Sequence, residues 1–209
     1  MLFRSSKVLI FTSFVYNIAK TRIKADEFDC VICADGGLTV AKTLGITPDI
    51  LIGDFDSTKL PQCDNIIRLP MEKNMTDTEA AIDLAISKGY TDITILGGLG
   101  GRFDHTMGNI GMLAKHLDRD KKICIINNSN KVFILLPGTY DIEKSSYKYL
   151  GLVSYGKECE NLSISGVKYP LEDYRLPNDT TLGVSNEIHE NTARLSFTSG
   201  KLLLIQSND

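Results

Sequence analysis

The chain has 209 residues, a formal net charge of −3 and 43% hydrophobic residues, a composition typical of globular proteins. Because the net charge is small and no block of like charges occurs, we expect neither nucleic acid nor a membrane surface as a partner. No apolar run reaches the about 18 residues that a membrane span requires. The five cysteines are scattered and lie mostly within apolar runs, which favours reduced thiols and a cytoplasmic location.

Up to about residue 127, short apolar runs alternate with segments of helical periodicity. The predicted strands are KVLIFTS, DCVICAD, DILIGD, NIIRLP, DITILGG and KICIINN, and the predicted helices are LTVAKTLG, TDTEAAIDLAISKG and FDHTMGNIGMLAKHLDR. Strands and helices in alternation predict an α/β domain, with a mainly parallel sheet that carries helices on both faces, as in Rossmann-like folds.

The segment DCVICAD also contains a C-x-x-C pair, Cys30 and Cys33, a spacing that occurs in zinc and redox sites. In a strand, however, residues three apart point to opposite faces of the sheet. No second Cys/His pair follows at ligand spacing. We therefore expect two buried thiols in a strand.

From about residue 130 the pattern becomes strand-like throughout. The predicted strands are KVFILLPG, YKYLGLVSYG, ENLSISGV, ARLSFTSG and KLLLIQS, and Gly, Asn and Pro turns separate them. This half is predicted to be an all-β, sandwich-like domain. The boundary is placed within LPGTY, residues 136–140, which divides the chain into domains 1–137 and 138–209.

Two acids, Asp54 and Asp56, follow the predicted strand DILIGD with only Phe55 between them. In an extended backbone, residues two apart point to the same side. The carboxyl ends of parallel strands form one ligand-binding edge, where ADGG (34–37) and GGLGGRFDH (97–105) also fall. Paired carboxylates near a phosphate site suit Mg²⁺, whereas acids after a strand are also ordinary turn residues. For this pair alone both interpretations stay open.

The segment EKNMTDTEAAI adds a third acid to this edge. Thr76 and Glu79 have capping-box spacing, so we expect a helix to begin after Thr76. Asp77 then lies in the first turn, where it either stabilises the helix dipole or supplies a third carboxylate. Lys73, just before this helix, is placed to contact a phosphate.

The segment GGLGGRFDH has four glycines within five residues. Such a loop is expected to expose backbone N–H groups and to let another molecule approach closely. The helix that follows is expected to pack through Phe103, Met107 and Ile110, with Asp104 as its cap. A glycine-rich loop that runs into a helix predicts an anion or nucleotide site, although the spacing matches neither a Walker A motif nor G-x-G-x-x-G.

The motifs ADGG, PDILIGDFDS, KNMTDTEAAI and GGLGGRFDH, in this order, resemble those of the thiamine pyrophosphokinase family, and TLGVSNE resembles the family's thiamine-side motif. The resemblance covers nearly the whole chain. It implies an enzyme that uses ATP and Mg²⁺ to transfer a pyrophosphoryl group to the hydroxyl of thiamine, which gives thiamine diphosphate and AMP. It also implies a homodimer with thiamine near the subunit interface.

The resemblance also implies roles for individual residues. Asp54, Asp56 and Asp77 would hold Mg²⁺ and, with Asp104, form the catalytic set. The residues implied in binding ATP are Asp35, Gly36, Gly37, Gly98, Gly100, Gly101, Arg102 and His105. Those implied in binding thiamine are Lys73, Asp104, Ser185 and Asn186. Arg102 is otherwise a solvated surface charge, and Ser185 and Asn186 are otherwise a plain turn. Since the chain has no Trp, an aromatic contact with the thiamine rings would come from Tyr or Phe.

Two alternative functions remain compatible with the sequence. One is a pyrophosphokinase that acts on another hydroxymethyl compound, such as a pterin. The other is a sensor that binds a nucleotide or thiamine without catalysis. The GVSNE motif favours thiamine over a pterin, and three converging carboxylates favour catalysis over sensing.

Overall fold

The computed structural model describes residues 6–55 and 65–209, and these form two compact units. The first unit runs to His116 and resumes at Asp120–Asn128, and the second consists of Leu117–Arg119 and Ser129–Asp209. The strand that begins at residue 130 therefore belongs by its contacts to the second unit, whereas the sequence-based boundary placed it in the first.

The first unit is built on a parallel sheet, to which the described residues contribute six strands. These are β1 (Lys7–Phe11), β2 (Cys30–Ala34), β3 (Ile50–Gly53), β4 (Ile66–Arg68), β5 (Asp92–Leu96) and β6 (Lys122–Ile126). All neighbours pair in parallel, in the order β4-β3-β2-β1-β5-β6. The chain moves outwards from β1 to β4 and then crosses to the other side of β1. Ligands of such sheets bind at this switch, beyond the carboxyl ends of β1 and β5.

Three α-helices accompany this sheet in the described part of the chain: α1 (Gly37–Thr43), α2 (Asp77–Ser87) and α3 (Phe103–Lys115). Short 3-10 helices lie at Ile18–Lys20 and Ala25–Glu27. Leu9 and Phe11 of β1 share a core cluster with Leu38 of α1. Val8 and Ile10 point to the opposite face and are also fully buried. Helix α2 packs on β1, β2 and β3 and is not part of the α1 cluster, so the sheet is covered on both faces as predicted.

Helix α2 begins where the capping-box spacing predicted. Thr76 has an extended backbone, and its hydroxyl accepts a hydrogen bond of 3.1 Å from the backbone N–H of Glu79. A cap of this kind stabilises a helix by about 1 kcal/mol. Its position fixes Asp77 as the first residue of the helix.

Helix α3 begins at Phe103 as predicted, but it ends at Lys115 rather than at Arg119 and packs through a different face. Phe103 is 74% exposed and Met107 48% exposed, so the predicted packing stripe is wrong at both positions. The helix instead buries Asn109 and Leu113, and Arg102 rather than Asp104 occupies the N-cap position. The period of the helix was therefore predicted correctly, while its rotation about the axis was not.

The second unit is antiparallel β structure. Its strands in the described chain are β7 (Asn130–Leu135), β8 (Gly138–Glu143), β9 (Tyr149–Ser154), β10 (Cys159–Ser165), β11 (Leu171–Leu176), β12 (Thr192–Phe197) and β13 (Leu202–Ser207). Strand β13 lies between β7 and β9, and a separate sheet has the order β11-β10-β12-β8. Leu152 and Leu204 of the first group share one core with Leu162 and Leu195 of the second. Two layers on a common core confirm the sandwich-like prediction.

The sequence did not predict β8 and β11, which lie at the two edges of the four-stranded sheet. β8 alternates partly buried and exposed residues, β11 is half exposed, and both carry charged residues. Charged residues protect an edge strand from pairing with another chain, and the same charges weaken its apolar signature.

The described cysteines are free thiols: Cys30, Cys33, Cys124 and Cys159. Cys30 and Cys33 are both buried in β2, which confirms their prediction as strand residues, while Cys63 lies outside the described residues. In residues 6–55 and 65–209, no helix is long and apolar enough to cross a membrane.

Candidate active site

Glycines bring the loops after β1, β2 and β3 together at the carboxyl edge of the sheet. A Cβ atom added to Gly37 would lie 2.2 Å from the carbonyl oxygen of Phe11, and one added to Gly53 would lie 3.0 Å from Cα of Asp35. The N–H of Asp35 donates to the carbonyl of Ile52 at 2.8 Å. A Cβ atom is therefore excluded at Gly37 and crowded at Gly53, and ADGG adjoins the end of β3 as the sequence predicted.

Asp54 and Asp77 meet at this edge through Lys73. The Lys73 ammonium lies 3.3 Å from Oδ2 of Asp54 and 3.0 Å from Oδ1 of Asp77. The three side chains are only 13%, 21% and 24% exposed, in the order Lys73, Asp54, Asp77. Burial alone would lower the pKa of Lys73, but its contacts with Asp77 and Asp54 outweigh that effect and raise the pKa. Lys73 is therefore a stable cation between two carboxylates.

A divalent cation fits the donors at this cluster. Oδ1 of Asp77 is buried and faces the Lys73 ammonium. Within the described residues it makes no hydrogen bond with any other group. Mg²⁺ prefers oxygen ligands and commonly uses one or two carboxylates, with water and substrate phosphates completing its shell. Asp56, the third predicted ligand, lies outside the described residues, and among the residues described no group of three acids, histidines or cysteines forms a metal site.

Phe55, which lies between the two predicted acids, does not have the extended backbone conformation that was expected. Its φ is 54°, so the chain is not extended there. Its buried ring belongs to the core cluster that contains Leu38 and Leu51. Asp35 also has a positive φ, of 43°. Each such conformation costs on the order of 1–3 kcal/mol and occurs preferentially at functional sites. Phe55 follows Asp54 in the chain, and Asp35 lies next to Gly53, the residue before Asp54.

The glycine-rich loop after β5 folds around Phe14. The φ angles of Gly97, Gly98, Gly100 and Gly101 are 98°, 72°, 98° and 66°, a range that other residues rarely adopt. A Cβ atom added to either Gly100 or Gly101 would lie 3.1 Å from the ring of Phe14. The glycines are therefore required by backbone conformation and by contact with an aromatic ring.

Backbone donors of this loop are largely used within the protein. The N–H groups of Gly97, Gly98 and Gly100 donate to Ile126, Phe14 and Thr106, respectively, at 2.8–2.9 Å. The expectation that these glycines expose their N–H groups is wrong for these three. Because glycines have no side chain, the loop still allows a ligand to come close to its backbone.

Asn109 of α3 completes the support of the loop. Its buried amide nitrogen donates to the carbonyl of Gly98 at 2.9 Å. Thr106, one turn earlier on the same helix, bonds Gly100. Sequence reasoning did not assign roles to Phe14, Thr106 or Asn109, although the polar 106/109 spacing, continued by Leu113, marks the face that α3 buries.

Arg102 and Asp104 form an exposed pair beside the loop. The guanidinium contacts both carboxylate oxygens, at 2.5 and 3.2 Å, and the side chains are 73% and 66% exposed. Arg102 is the main cause that lowers the pKa of Asp104, and a hydrogen bond from the N–H of His105 adds to it. His105 is itself exposed. The pair uses Nε and Nη2 of Arg102, so the other N–H groups of the guanidinium can still donate to an anion.

In the second unit, Ser185 and Asn186 have different environments. Ser185 is exposed and has a φ of 62°. Asn186 is buried, and its side chain accepts hydrogen bonds from the N–H groups of Tyr169 and Glu187 and donates to the carbonyl of Tyr169. Both ends of the amide are thus occupied, and they fix Tyr169, whose side chain is 58% exposed.

Comparison with known proteins gives a consistent result for both units. The family model for the thiamin pyrophosphokinase catalytic domain matches residues 22–125, and the model for the thiamin pyrophosphokinase vitamin B1 binding domain matches residues 139–202. The thiamine pyrophosphokinase of Bacillus subtilis is 34% identical over 192 residues, which cover 88% of this chain and 90% of that protein. Thiamin pyrophosphokinase 1 of Caenorhabditis elegans is 25% identical over 92% of this chain and 81% of its own.

Solved structures agree with the sequence comparisons. The crystal structure of the Bacillus subtilis thiamine pyrophosphokinase superposes with a TM-score of 0.85 at 29% identity and covers 98% of this chain and 100% of its own. The thiamin pyrophosphokinase of Geobacillus thermodenitrificans gives a TM-score of 0.83 at 27% identity, over 97% of this chain and 98% of that one. The chain belongs to the thiamine pyrophosphokinase family.

Proposed function

We propose that this protein transfers the pyrophosphoryl group of ATP to the hydroxyl of thiamine, which gives thiamine diphosphate and AMP. The observation that carries the proposal is the Asp54–Lys73–Asp77 cluster at the carboxyl edge of a parallel sheet, in a chain of this family. Transfer of this kind depends on positioning and on neutralising charge rather than on a covalent intermediate. A partly buried set of carboxylates with a lysine is suited to that task.

Asp54 and Asp77, with Asp56, are the residues proposed to hold Mg²⁺. When bound, Mg²⁺ neutralises phosphate charge and orients the group that is transferred. The chain's own part is to aim the acids. Thr76 fixes Asp77 at the start of α2, and the ring of Phe55, the residue after Asp54, is held in the core cluster.

The proposed nucleotide site is the crevice beyond β1 and β5. Its residues are Asp35, Gly36, Gly37, Gly98, Gly100, Gly101, Arg102 and His105. Because Gly98 and Gly100 already use their N–H groups, the role proposed for the glycines is to leave room for the nucleotide. Arg102 is the charged donor of this set, since its exposed guanidinium keeps N–H groups that the pair with Asp104 does not use.

For thiamine, we propose contacts with Ser185, Asp104 and Lys73, and an indirect role for Asn186. The Ser185 hydroxyl is exposed, whereas the Asn186 amide is engaged in holding Tyr169. Tyr169 therefore becomes the candidate aromatic contact for the cationic thiazolium in a chain without Trp. Asn186 then acts on thiamine by positioning Tyr169.

We also propose a homodimer with thiamine near the subunit interface, and a cytoplasmic location. The second unit exposes the large side chains of Tyr169, Leu182 and Val184, and exposed apolar side chains that adjoin one another mark interaction surfaces. The free thiols of the described cysteines are consistent with a reducing compartment.

The direct test is to incubate the purified protein with ATP, Mg²⁺ and thiamine and to identify both products. Thiamine diphosphate and AMP, in equal amounts, are expected. ADP with thiamine monophosphate would contradict pyrophosphoryl transfer. A parallel reaction with a hydroxymethylpterin in place of thiamine tests the alternative substrate. Binding of ATP or thiamine without turnover would favour a sensor.

A further inference from the structure

Lys73 contacts one oxygen of each of the two carboxylates that a cation would use. Its ammonium faces Oδ2 of Asp54 and Oδ1 of Asp77 at 3.3 and 3.0 Å. All three side chains are mostly shielded from solvent, so their charges are screened less than those of surface pairs. A divalent cation that binds these two carboxylates must therefore compete with the lysine.

We propose that Lys73 is an exchangeable counter-ion: it holds Asp54 and Asp77 together until a divalent cation binds, and the cation then releases its ammonium to the phosphates of the nucleotide. The identity of the cation and of the phosphate ligand rests on the proposed function. The exchange itself concerns only these three side chains.

Two physical arguments support the exchange. Without a cation between them, Asp54 and Asp77 would repel each other across a short distance, and Lys73 removes that repulsion. Lysine also suits a transient partner better than arginine, because its ammonium is a compact charge on a flexible stem and makes no fixed bidentate contact. After the exchange the cation balances the carboxylates, and the ammonium remains as a positive charge for an incoming polyphosphate.

The test is to replace Lys73 by Met in the full-length protein and to measure two affinities by titration calorimetry. MgCl₂ is titrated first, without nucleotide, and then a non-hydrolysable ATP analogue at saturating Mg²⁺. We expect Lys73→Met to bind Mg²⁺ about tenfold more tightly, since no ammonium competes, and to bind the analogue about tenfold more weakly. An exchange predicts opposite changes in the two affinities, and a change in the same direction in both would contradict it.

Thermal unfolding gives a third reading that does not depend on activity. In a chelator, the Lys73→Met variant should unfold at a lower temperature than wild type, because its carboxylates repel. Added MgCl₂ should raise its unfolding temperature more than that of wild type. Should the methionine variant not fold, Lys73→Gln provides the same comparison with a polar side chain.

Lys115 provides a matched control, because it also pairs with acids of α2. Its ammonium lies 2.7 Å from Glu79 and 3.9 Å from Asp83. Lys115→Met should leave both affinities unchanged, and Lys73→Arg should keep Mg²⁺ affinity close to that of wild type because the charge remains.

Unchanged or weaker Mg²⁺ binding by Lys73→Met would overturn the exchange, even if wild type makes thiamine diphosphate. If the opposite changes occur but wild type forms no thiamine diphosphate, the exchange stands and the proposed function falls. The product assay and the metal titration therefore separate the two.

Discussion

Helices α2 and α3 both follow a loop at the carboxyl edge of the parallel sheet, and both carry an aspartate in their first turn, yet their environments differ. Asp77 of α2 is 24% exposed and faces Lys73, whereas Asp104 of α3 is 66% exposed and pairs with Arg102. The charges of a shielded pair interact strongly with a nearby ion, whereas water and salt screen the charges of an exposed pair. The same sequence feature thus gives a partly buried cluster of charges in one place and a solvated pair in the other.

The two helices are also anchored by different means. Helix α2 has a side-chain cap, Thr76, on its own backbone. Helix α3 has no side-chain cap, and Thr106 and Asn109 instead bind the glycine-rich loop that precedes it. The start of α2 is therefore fixed locally, while the start of α3 depends on the loop that it supports.

The largest expected effect is on kcat, and it should differ between the aspartates of the Lys73 cluster and Asp104. Asp54→Asn or Asp77→Asn should lower kcat by about 10²-fold or more, as expected for the loss of one preorganised charged group, with little change in Tm. Asp104→Asn should lower kcat less, because its charge is exposed and already paired. Steady-state kinetics with thermal unfolding measures both quantities. Equal losses in all three variants, or full recovery of Asp54→Asn and Asp77→Asn by excess Mg²⁺, would contradict the comparison.

Asn109 tests the anchoring of α3. Asn109→Ala removes a buried hydrogen bond and leaves the Gly98 carbonyl without that donor, which should cost about 1–3 kcal/mol of stability. Because the loop would also shift, KM for ATP should rise while KM for thiamine changes less. Denaturant unfolding and initial rates measure the two effects. A stable variant with an unchanged KM for ATP would show that the loop is held by Phe14 and Thr106 alone.

Thr76 tests the anchoring of α2 and should give a smaller loss. Thr76→Ala removes the cap and should cost about 1 kcal/mol, a change in Tm of about 2–4 °C for a chain of this size. Thr76→Ser keeps an accepting oxygen and should restore most of it. If Thr76→Ala instead reduced kcat as strongly as Asp77→Asn, the cap would be required for aiming Asp77 rather than for stability.

This contrast also explains which parts of the site the sequence could predict. The capping box and Asp77 are local features, since Thr76 and Glu79 lie within one turn, and they were found at the predicted positions. The rotation of α3 was not predicted, because the helical period fixes the spacing of the buried residues but not which set is buried. Here a polar residue, Asn109, is drawn inwards by the Gly98 carbonyl.

Other misses have the same long-range origin. Phe55 adopts a positive φ because its ring is held in a core built from distant strands, and no local pattern predicts that for a phenylalanine. The glycine N–H groups are occupied by partners 6 to 84 residues away, such as Thr106 and Phe14. The alternation of strands and helices, in contrast, repeats through the whole first unit, so the fold class was predictable.

The smallest effect concerns the contact between the two helices, where His116, at the end of α3, lies 3.2 Å from Asp83 of α2. Burial lowers the pKa of His116 below its ordinary value of 6.5, and Asp83 only partly opposes this shift. Below pH 6.5 the unfolded chain therefore takes up a proton that the folded chain resists, so the free energy of unfolding should fall as the pH falls. His116→Gln should lose less stability than wild type between pH 7.5 and 5, as measured by Tm, while the exposed His189→Gln should behave like wild type. Equal losses of Tm in wild type and His116→Gln would show that His116 does not cause the fall in stability at low pH.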